Sequence, residues 1–215
     1  MGMAEIKQLR ERTGAGILDC KKALTENDGN IDAAIDWLRA KGIAQAAKKS
    51  SRIASEGVVV SYIHGGGKIG VLLEVNCETD FVAINEDFQG MCNDIAMHIA
   101  ASAPEYVSKD DVPEDAIERE RKVQLARVID EGKPAAIAEK IVAGRMGKFF
   151  EQVCLLEQPF VKADDKTVGD IITDAVSRIG ENIKIRRFTR MVLGEGLEKR
   201  KDDFESEVAA MSGIA

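Results

Sequence analysis

The chain contains few of the residues from which metal sites and nucleophilic active sites are built. Its 215 residues include four cysteines and two histidines, with no Cys-x-x-Cys pair. A zinc site needs several such ligands at close spacing, so the common zinc-binding motifs are excluded. Instead, we expect the cysteines to pack as small apolar side chains. They are Cys20, Cys77, Cys92 and Cys154. No bound metal or cofactor is therefore predicted.

Long apolar runs and an excess of positive charge are also missing. Nothing approaches the roughly 18 apolar residues of a membrane-spanning helix, and no apolar run precedes the first predicted helix, so we expect a cytoplasmic protein without membrane association. Residues 1–55 hold 10 basic and 7 acidic side chains, against 20 and 30 in the remainder, and the net charge is −7. Phosphate binding needs a cationic surface, so direct nucleic-acid binding is not expected. A protein partner fits better.

Two glycine-rich patterns imitate catalytic or nucleotide-binding motifs. Residues 65–70 read GGGKIG, which satisfies G-x-G-x-x-G, but a strand pattern follows where that fingerprint needs a helix. The P-loop fails too, because Tyr62 and Ile69 occupy positions that need Gly and Ser or Thr. His64 with its glycines resembles an oxyanion-hole segment, yet no G-x-S-x-G elbow supplies a nucleophile. A hydrolase using His64 and a cysteine would need the two side chains within hydrogen-bond distance. His98 is predicted to be a packing histidine.

Apolar periodicity predicts three short helices between residues 4 and 42, with Trp37 in their core and Gly42 as the final cap. This unit resembles the ubiquitin-associated type of three-helix domain. A basic stretch at residues 48–52 is predicted to be a solvated linker.

The remainder predicts an α+β fold in which a small antiparallel sheet packs with helices and a helical hairpin projects from it. The predicted strands are 58–63, 68–77, 153–161 and 183–193, and the predicted helices are 85–101, two antiparallel helices within 113–152, 167–179 and 202–211. We expect an N-terminal domain at 1–55, a core at 56–200 that contains the hairpin, and a C-terminal helical module at 201–215.

The second strand of this sheet ends in an unusual way. Its apolar run leads into Thr79 and Asp80, where a strand is expected to stop, and a large aromatic, Phe81, follows at once. An aromatic side chain just beyond a sheet edge suits insertion into a partner. The alternative is that Phe81 packs back onto the next helix, and composition alone favours it because most phenylalanines are core residues.

Residues 73–82, LEVNCETDFV, resemble the core motif of the bacterial elongation factor Ts family, the guanine-nucleotide exchange factors for elongation factor Tu. Four further segments agree and follow in a consistent order, so that the resemblance runs from about residue 4 to residue 211. They are LRERTGAG at 9–16 with DCKKAL at 19–24, AMHIAA at 96–101, IGENI at 179–183 with Arg186 and Arg187, and GEGLEK at 194–199.

The resemblance implies a short-form family member that binds elongation factor Tu, both GDP-bound and nucleotide-free, and weakens GDP binding without covalent chemistry, so it is not an enzyme. Asp80 and Phe81 would displace groups near the partner's Mg²⁺ and phosphates. The other implied contact residues are Thr79, Val82, His64, Ile179, Gly180, Arg10, Ile17 and Leu18. The alternative is that Ile17 caps the three-helix core and only Leu18 is exposed.

Longer family members carry two related halves in their core, whereas this chain has one. A symmetric homodimer is one way to supply the missing half. The main alternative function is a ubiquitin-associated-type adaptor or scaffold that recruits partners but drives no nucleotide exchange.

Overall fold

The computed structural model describes residues 2–198, and this part of the chain has the predicted α+β class. In chain order the elements are α1 (Met3–Thr13), α2 (Ile17–Glu26), α3 (Ile31–Lys49), β1 (Glu56–His64), β2 (Ile69–Cys77), α4 (Asp80–Ala83), α5 (Glu86–Ser102), α6 (Glu114–Asp130), α7 (Ala135–Val153), β3 (Pro159–Phe160), β4 (Ala163–Thr167), α8 (Val168–Ile179) and β5 (Lys184–Val192). The predicted helix at 202–211 and the predicted module at 201–215 lie outside the described residues.

The three N-terminal helices enclose a small apolar core, as predicted. Its buried members are Ile6, Leu9, Cys20, Ala23, Leu24 and Ala34. Trp37 packs at the edge of this core and stays half-buried, with the ammonium groups of Lys22 and Lys41 lying 5.9 and 5.3 Å from its ring centroid. The indole ring therefore borders the core instead of filling it.

The predicted end of the third helix is wrong. Helix α3 continues through Gly42 to Lys49, so the first two residues of the predicted linker are helical. Gly42 is buried, and a Cβ atom there would lie 3.3 Å from the hydroxyl of Ser177 on α8. The glycine thus allows two helices to approach closely, and this tertiary contact overrides the local tendency of glycine to end a helix.

A three-stranded antiparallel sheet, in the order β1-β2-β5, forms the centre of the fold. The β1–β2 hairpin joined by residues 65–67 is confirmed. Its inner face presents Val71, Leu73 and Val75, which pack with fully buried side chains of α5. Burial of this face stabilises the core. The side chains of Phe88, Cys92, Ile95 and Ile99 cover the sheet from α5.

The projecting helical hairpin is also confirmed, in α6 and α7. It has a small apolar core of its own, which includes Val128 and Val142. The chain enters and leaves the hairpin side by side, because the amide of Tyr106 donates to the carbonyl of Val153 at 3.0 Å and the amide of Leu155 donates to the carbonyl of Tyr106 at 2.8 Å. The hairpin is therefore closed at its base.

The predicted strand at 153–161 is wrong. Helix α7 continues to Val153, a short 3-10 turn follows at Leu155–Glu157, and only Pro159–Phe160 is extended. Those two residues pair with β4 and not with the central sheet. The apolar pattern reflects burial of Cys154, Leu155 and Phe160 beneath the hairpin base. Periodicity alone does not separate such a segment from a buried strand. Among the described helices, none is both long and apolar enough to traverse a lipid bilayer.

Candidate partner-binding site

The end of strand β2 presents Phe81 to solvent. The strand stops at Cys77, Thr79 stays extended, and the single turn α4 begins at Asp80. The phenyl ring of Phe81 is 78% exposed, whereas Val82 and Ala83 pack into the core. The alternative in which Phe81 packs back onto the next helix is therefore wrong. Because Asp80 is exposed as well, an acid and an aromatic project side by side.

A single carboxylate holds the backbone just before this projection. Oε2 of Glu181 accepts hydrogen bonds from the amides of Glu78 and Thr79, both at 3.0 Å. Oε1 of the same side chain accepts a hydrogen bond from the hydroxyl of Thr79 at 2.6 Å. We call these three hydrogen bonds the carboxylate clamp. Hydrogen bonds to an ionised acceptor are roughly twice as strong as neutral ones, so the clamp restrains this turn.

A second set of contacts runs in the opposite direction. The Glu78 carboxylate accepts a hydrogen bond from the amide of Asn182 at 2.6 Å and pairs with the Arg52 guanidinium at 3.4 Å. The Asn182 side chain is buried and donates to the Arg52 carbonyl at 2.7 Å. The segment after α3, the end of β2 and the turn after α8 are thus joined in one polar network.

This network brings two of the predicted contact segments to one end of the sheet. Helix α8 ends at Ile179, Gly180 follows in the left-handed conformation with φ 92°, and Glu181 comes next. Strand β5 then starts by pairing Lys184 with Asn76 of β2. Ile179 and Gly180 therefore lie at the same sheet end as Thr79, Asp80, Phe81 and Val82.

His64 lies at the opposite end of the sheet. In the β1–β2 register Glu56 faces Cys77 and His64 faces Ile69, so the length of a nine-residue strand, roughly 27 Å, separates the two ends. The His64 ring is exposed, and its Nδ1 atom lies 3.0 Å from the hydroxyl of Tyr62. One chain does not bring His64 close to Phe81.

The remaining predicted contacts lie on the N-terminal helices. Arg10 is exposed on α1, and both residues at the start of α2 are accessible, with Ile17 50% and Leu18 82% exposed. The reading of Ile17 as a buried cap on the three-helix core is therefore wrong.

Helix α8 connects these N-terminal helices with the sheet end. A Cβ atom on Gly14 would lie 3.3 Å from Cδ of Arg178, and the guanidinium of Arg39 lies 3.5 Å from the Asp170 carboxylate. The N-terminal helices thus lie along α8, whose last residue is Ile179. An adjoining cleft of about 610 Å³ between α1, α5 and α8 has a mixed acidic and basic lining.

The buried thiols and imidazole do not form a nucleophilic pair. Burial raises the pKa of the Cys92 thiol to about 12 and that of Cys77 and Cys154 to about 11, which disfavours the reactive thiolate. Burial lowers the pKa of His98, whose Nε2 atom lies 2.9 Å from the amide oxygen of Gln158. His98 is thus a packing histidine, as predicted.

The hydrolase alternative finds no support in this arrangement. Within residues 2–198, the hydrogen-bond partners of His64 and His98 are Tyr62, Gln158 and Val161, none of which is a cysteine. The same part of the chain holds no cluster of three or more His, Cys, Asp and Glu side chains arranged to bind a metal. Residues 65–67 form the turn between two strands, so the G-x-G-x-x-G pattern lacks its helix.

Sequence reasoning missed Glu181 and Asn182 as members of this site. Both belong to a motif, residues 179–183, of which only the first two residues were predicted to be contacts. Their signal is weak but present, since the two polar side chains lie just after the end of a helix and precede a buried residue, Ile183, at the entry to β5. Polar side chains at such a junction are candidates for satisfying the unpaired backbone groups of a neighbouring segment.

Comparison of the sequence with known proteins identifies its family. Residues 43–195 match the model of the family described as "Elongation factor TS". The chain is 60% identical over 205 residues to "Elongation factor Ts" of Desulforamulus reducens, covering 95% of this chain and 94% of that protein. It is 60% identical over 205 residues to that of Carboxydothermus hydrogenoformans, with the same coverage, and 56% identical over 211 residues to that of Geobacter sulfurreducens, covering 98% of both chains. The chain therefore belongs to the elongation factor Ts family.

Proposed function

We propose that this protein is a guanine-nucleotide exchange factor for elongation factor Tu in translation elongation. The single observation that supports the proposal best is the exposure of Phe81 beside Asp80 on a restrained turn, in a chain that belongs to this family. In the proposal the two side chains insert near the Mg²⁺ and phosphate site of the partner and promote GDP release. The activity is cytoplasmic and involves no covalent step, no bound cofactor and no direct nucleic-acid contact.

The proposed mechanism is reciprocal coupling between two binding equilibria. If the protein binds nucleotide-free elongation factor Tu more tightly than the GDP-bound form, GDP must bind the complex more weakly by the same ratio. Each tenfold change corresponds to about 1.4 kcal/mol. Burial of an exposed phenylalanine in a pocket contributes roughly 1.5 to 3 kcal/mol. Phe81 can therefore supply a tenfold or larger effect, provided that its pocket forms only when the nucleotide site is disturbed.

The proposed contact surface has three parts. The first, at one end of the sheet, contains Thr79, Asp80, Phe81, Val82, Ile179 and Gly180. The second, on α1 and α2, contains Arg10, Ile17 and Leu18. The third is His64 at the far end of the sheet. The division into an N-terminal domain at 1–55, a core at 56–200 and a C-terminal module at 201–215 is part of the same proposal.

We also infer a homodimer, in which a second copy supplies the contacts that one chain lacks. The outer face of the central sheet supports this inference because it exposes four large apolar side chains, which are Val59, Ile63, Leu72 and Met191. Light scattering coupled to size-exclusion chromatography at several concentrations measures the oligomeric state. A monomer at all concentrations contradicts the homodimer.

The decisive experiment measures the release of fluorescent GDP from elongation factor Tu. Wild-type protein should accelerate release strongly, and Phe81→Ala should lose most of that acceleration while keeping its circular dichroism spectrum. Ile53→Ala is a matched control, because Ile53 is 85% exposed and removal of its side chain exposes no core. This control should retain the wild-type rate.

The outcomes separate the function from the site. Acceleration that Phe81→Ala leaves intact keeps the exchange function but rejects Phe81 as the inserted group. No acceleration by the wild type rejects the exchange function and favours the adaptor alternative, which assigns no role to Phe81.

A further inference from the structure

We propose that Glu181 is a positioning residue for nucleotide exchange, which fixes through the carboxylate clamp the direction in which Phe81 projects. The inference rests on the proposed function and deepens it. It assigns a role to a side chain that acts on the exchange through the turn it binds.

The clamp acts at the point where the direction of Phe81 is decided. Thr79 stands two residues before Phe81, and both its amide and its hydroxyl donate to Glu181, at 3.0 and 2.6 Å. On the other side of Phe81, Ala83 is buried in the core. The exposed Asp80–Phe81 pair is therefore held at both ends, although neither side chain has a packed environment of its own.

Neighbouring contacts fix the clamp itself. The amide of Glu78 donates to the Glu181 carboxylate, and the amide of Asn182 donates in return to the Glu78 carboxylate at 2.6 Å. Two segments 103 positions apart in sequence are thus joined by hydrogen bonds in both directions. The thiol of Cys77 donates to the Thr79 carbonyl at 3.2 Å, so this carbonyl is bound as well.

Such restraint has a direct consequence for exchange. An exposed aromatic that is already held in its binding direction loses less conformational freedom on insertion than one on a mobile loop. Small misplacements of a group that must meet a pocket are costly, since a shift of about 1 Å can reduce a rate by about a hundredfold. Glu181 would therefore affect the rate of GDP release more than the initial encounter with the partner.

The test uses Glu181→Gln, which keeps the size of the side chain but replaces one acceptor oxygen with an amide donor that faces N–H and O–H donors. We expect the maximal rate of GDP release to fall by between about tenfold and about a hundredfold. Thr79→Val, which replaces the hydroxyl with a methyl group and keeps the backbone amide, should give a smaller loss in the same direction. Glu195→Gln is the matched control, because Glu195 is exposed and lies outside the contact surface, and it should keep the wild-type rate.

Two further measurements distinguish positioning from general destabilisation. Hydrogen exchange of the Glu78 and Thr79 amides, followed by NMR in the free protein, should speed up in Glu181→Gln while the amides of β2 remain protected. In a Phe81→Ala background, Glu181→Gln should cause little additional loss of rate, because the group that it positions is already absent.

Each outcome bears on the proposal. Unchanged amide protection in Glu181→Gln shows that the clamp does not restrain the turn and overturns the proposal. An unchanged maximal rate despite faster amide exchange overturns it too, as does a full additional loss in the Phe81→Ala background. If the wild type does not accelerate GDP release, the proposed function and the role of Glu181 in it both fail. Faster exchange of the Glu78 and Thr79 amides in Glu181→Gln would then show that the clamp exists and that only the exchange function has failed.

Discussion

The two ends of the β1–β2 hairpin are restrained in different ways. At the Cys77 end, the chain that leaves the sheet is bound by Glu181 and Asn182, side chains from a distant part of the sequence. At the His64 end, three consecutive glycines form the turn, and the His64 side chain hydrogen-bonds with the hydroxyl of Tyr62 on the same strand.

The difference in restraint between the two ends shows which end of a small sheet can hold a functional group in a fixed direction. Side-chain hydrogen bonds between segments far apart in sequence restrain both segments at once at the Cys77 end. At the His64 end the Leu193 amide donates to the Lys68 carbonyl at 2.8 Å, but within the described part of the chain no comparable side-chain hydrogen bond reaches residues 65–67. We therefore expect the Cys77 end to be rigid and the His64 end to be adaptable. The predictions below test this contrast, from the largest expected effect to the smallest.

Glycine substitutions at the two ends should differ most in how far they lower the free energy of unfolding. A Cβ atom on Gly57, opposite Asn76, would lie 2.1 Å from the Val75 carbonyl oxygen, and Gly57 has φ 137°. Gly57→Ala should lower the free energy of unfolding by about 3 kcal/mol or more, because backbone atoms must move. Gly66→Ala meets no described atom within 4 Å but has φ 66°, so it should lose about 1 kcal/mol. Urea unfolding of both variants measures the difference, and equal losses would contradict a rigid Cys77 end.

Removal of the Asn182 side chain should have the next largest effect. Asn182→Ala removes a buried side chain whose amide donates to the Arg52 carbonyl at 2.7 Å, and it should cost about 1 to 3 kcal/mol. Asn76→Ala is a matched control, since its amide donates to the Glu56 carbonyl at 3.1 Å in an exposed setting, and it should cost less than about 1 kcal/mol. Thermal unfolding compares the two variants. A control that costs as much as Asn182→Ala would show that burial is not the cause.

The two histidines extend the comparison to pH. His98 is fully buried, and burial lowers its pKa below the unfolded value of about 6.5, so the unfolded chain binds a proton more readily. The free energy of unfolding should therefore fall as the pH drops below about 6.5 toward the folded pKa. Urea unfolding is measured between about pH 7.5 and about pH 5, a range that spans the unfolded pKa of histidine. It should show this decline in the wild type and in His64→Gln. His98→Gln should lack the His98 contribution, and an unchanged slope in that variant would assign the decline to other groups.

The smallest effect is expected at the His64 end. Tyr62→Phe removes the hydroxyl that lies 3.0 Å from the exposed His64 ring and should change the free energy of unfolding by no more than about 0.5 kcal/mol. Denaturant unfolding of this variant beside the wild type provides the measurement. A loss comparable with that of Asn182→Ala would remove the distinction between the two ends.

Sequence periodicity predicted most elements because their signals are local. Alternating apolar residues and the glycines at 65–67 indicate the β1–β2 hairpin, and residues 132–134 mark the break between α6 and α7. For Phe81, local chemistry predicted only that the strand stops near Thr79 and Asp80. Composition favoured packing of the ring, and its exposure was implied by the family resemblance.

The failures share a different cause. The end of the third helix was predicted wrongly because Gly42 permits close packing against Ser177 on another helix and does not end its own helix. The segment 153–161 was misread because its apolar residues are buried under the hairpin base. Glu181 was missed because its hydrogen-bond partners lie 102 and 103 positions away. In each case a contact distant in sequence outweighs the local pattern, so no single window of sequence contains the signal.

Because its base is closed, the helical hairpin can vary in length without affecting the rest of the fold. Tyr106 and Cys154 form a parallel bridge, and everything between them leaves and returns at one place. Insertions or deletions within α6 and α7 can therefore change how far the hairpin reaches while the β2–β5 pairing and the carboxylate clamp stay in register. The reach of this arm can therefore change without moving the turn that carries Phe81.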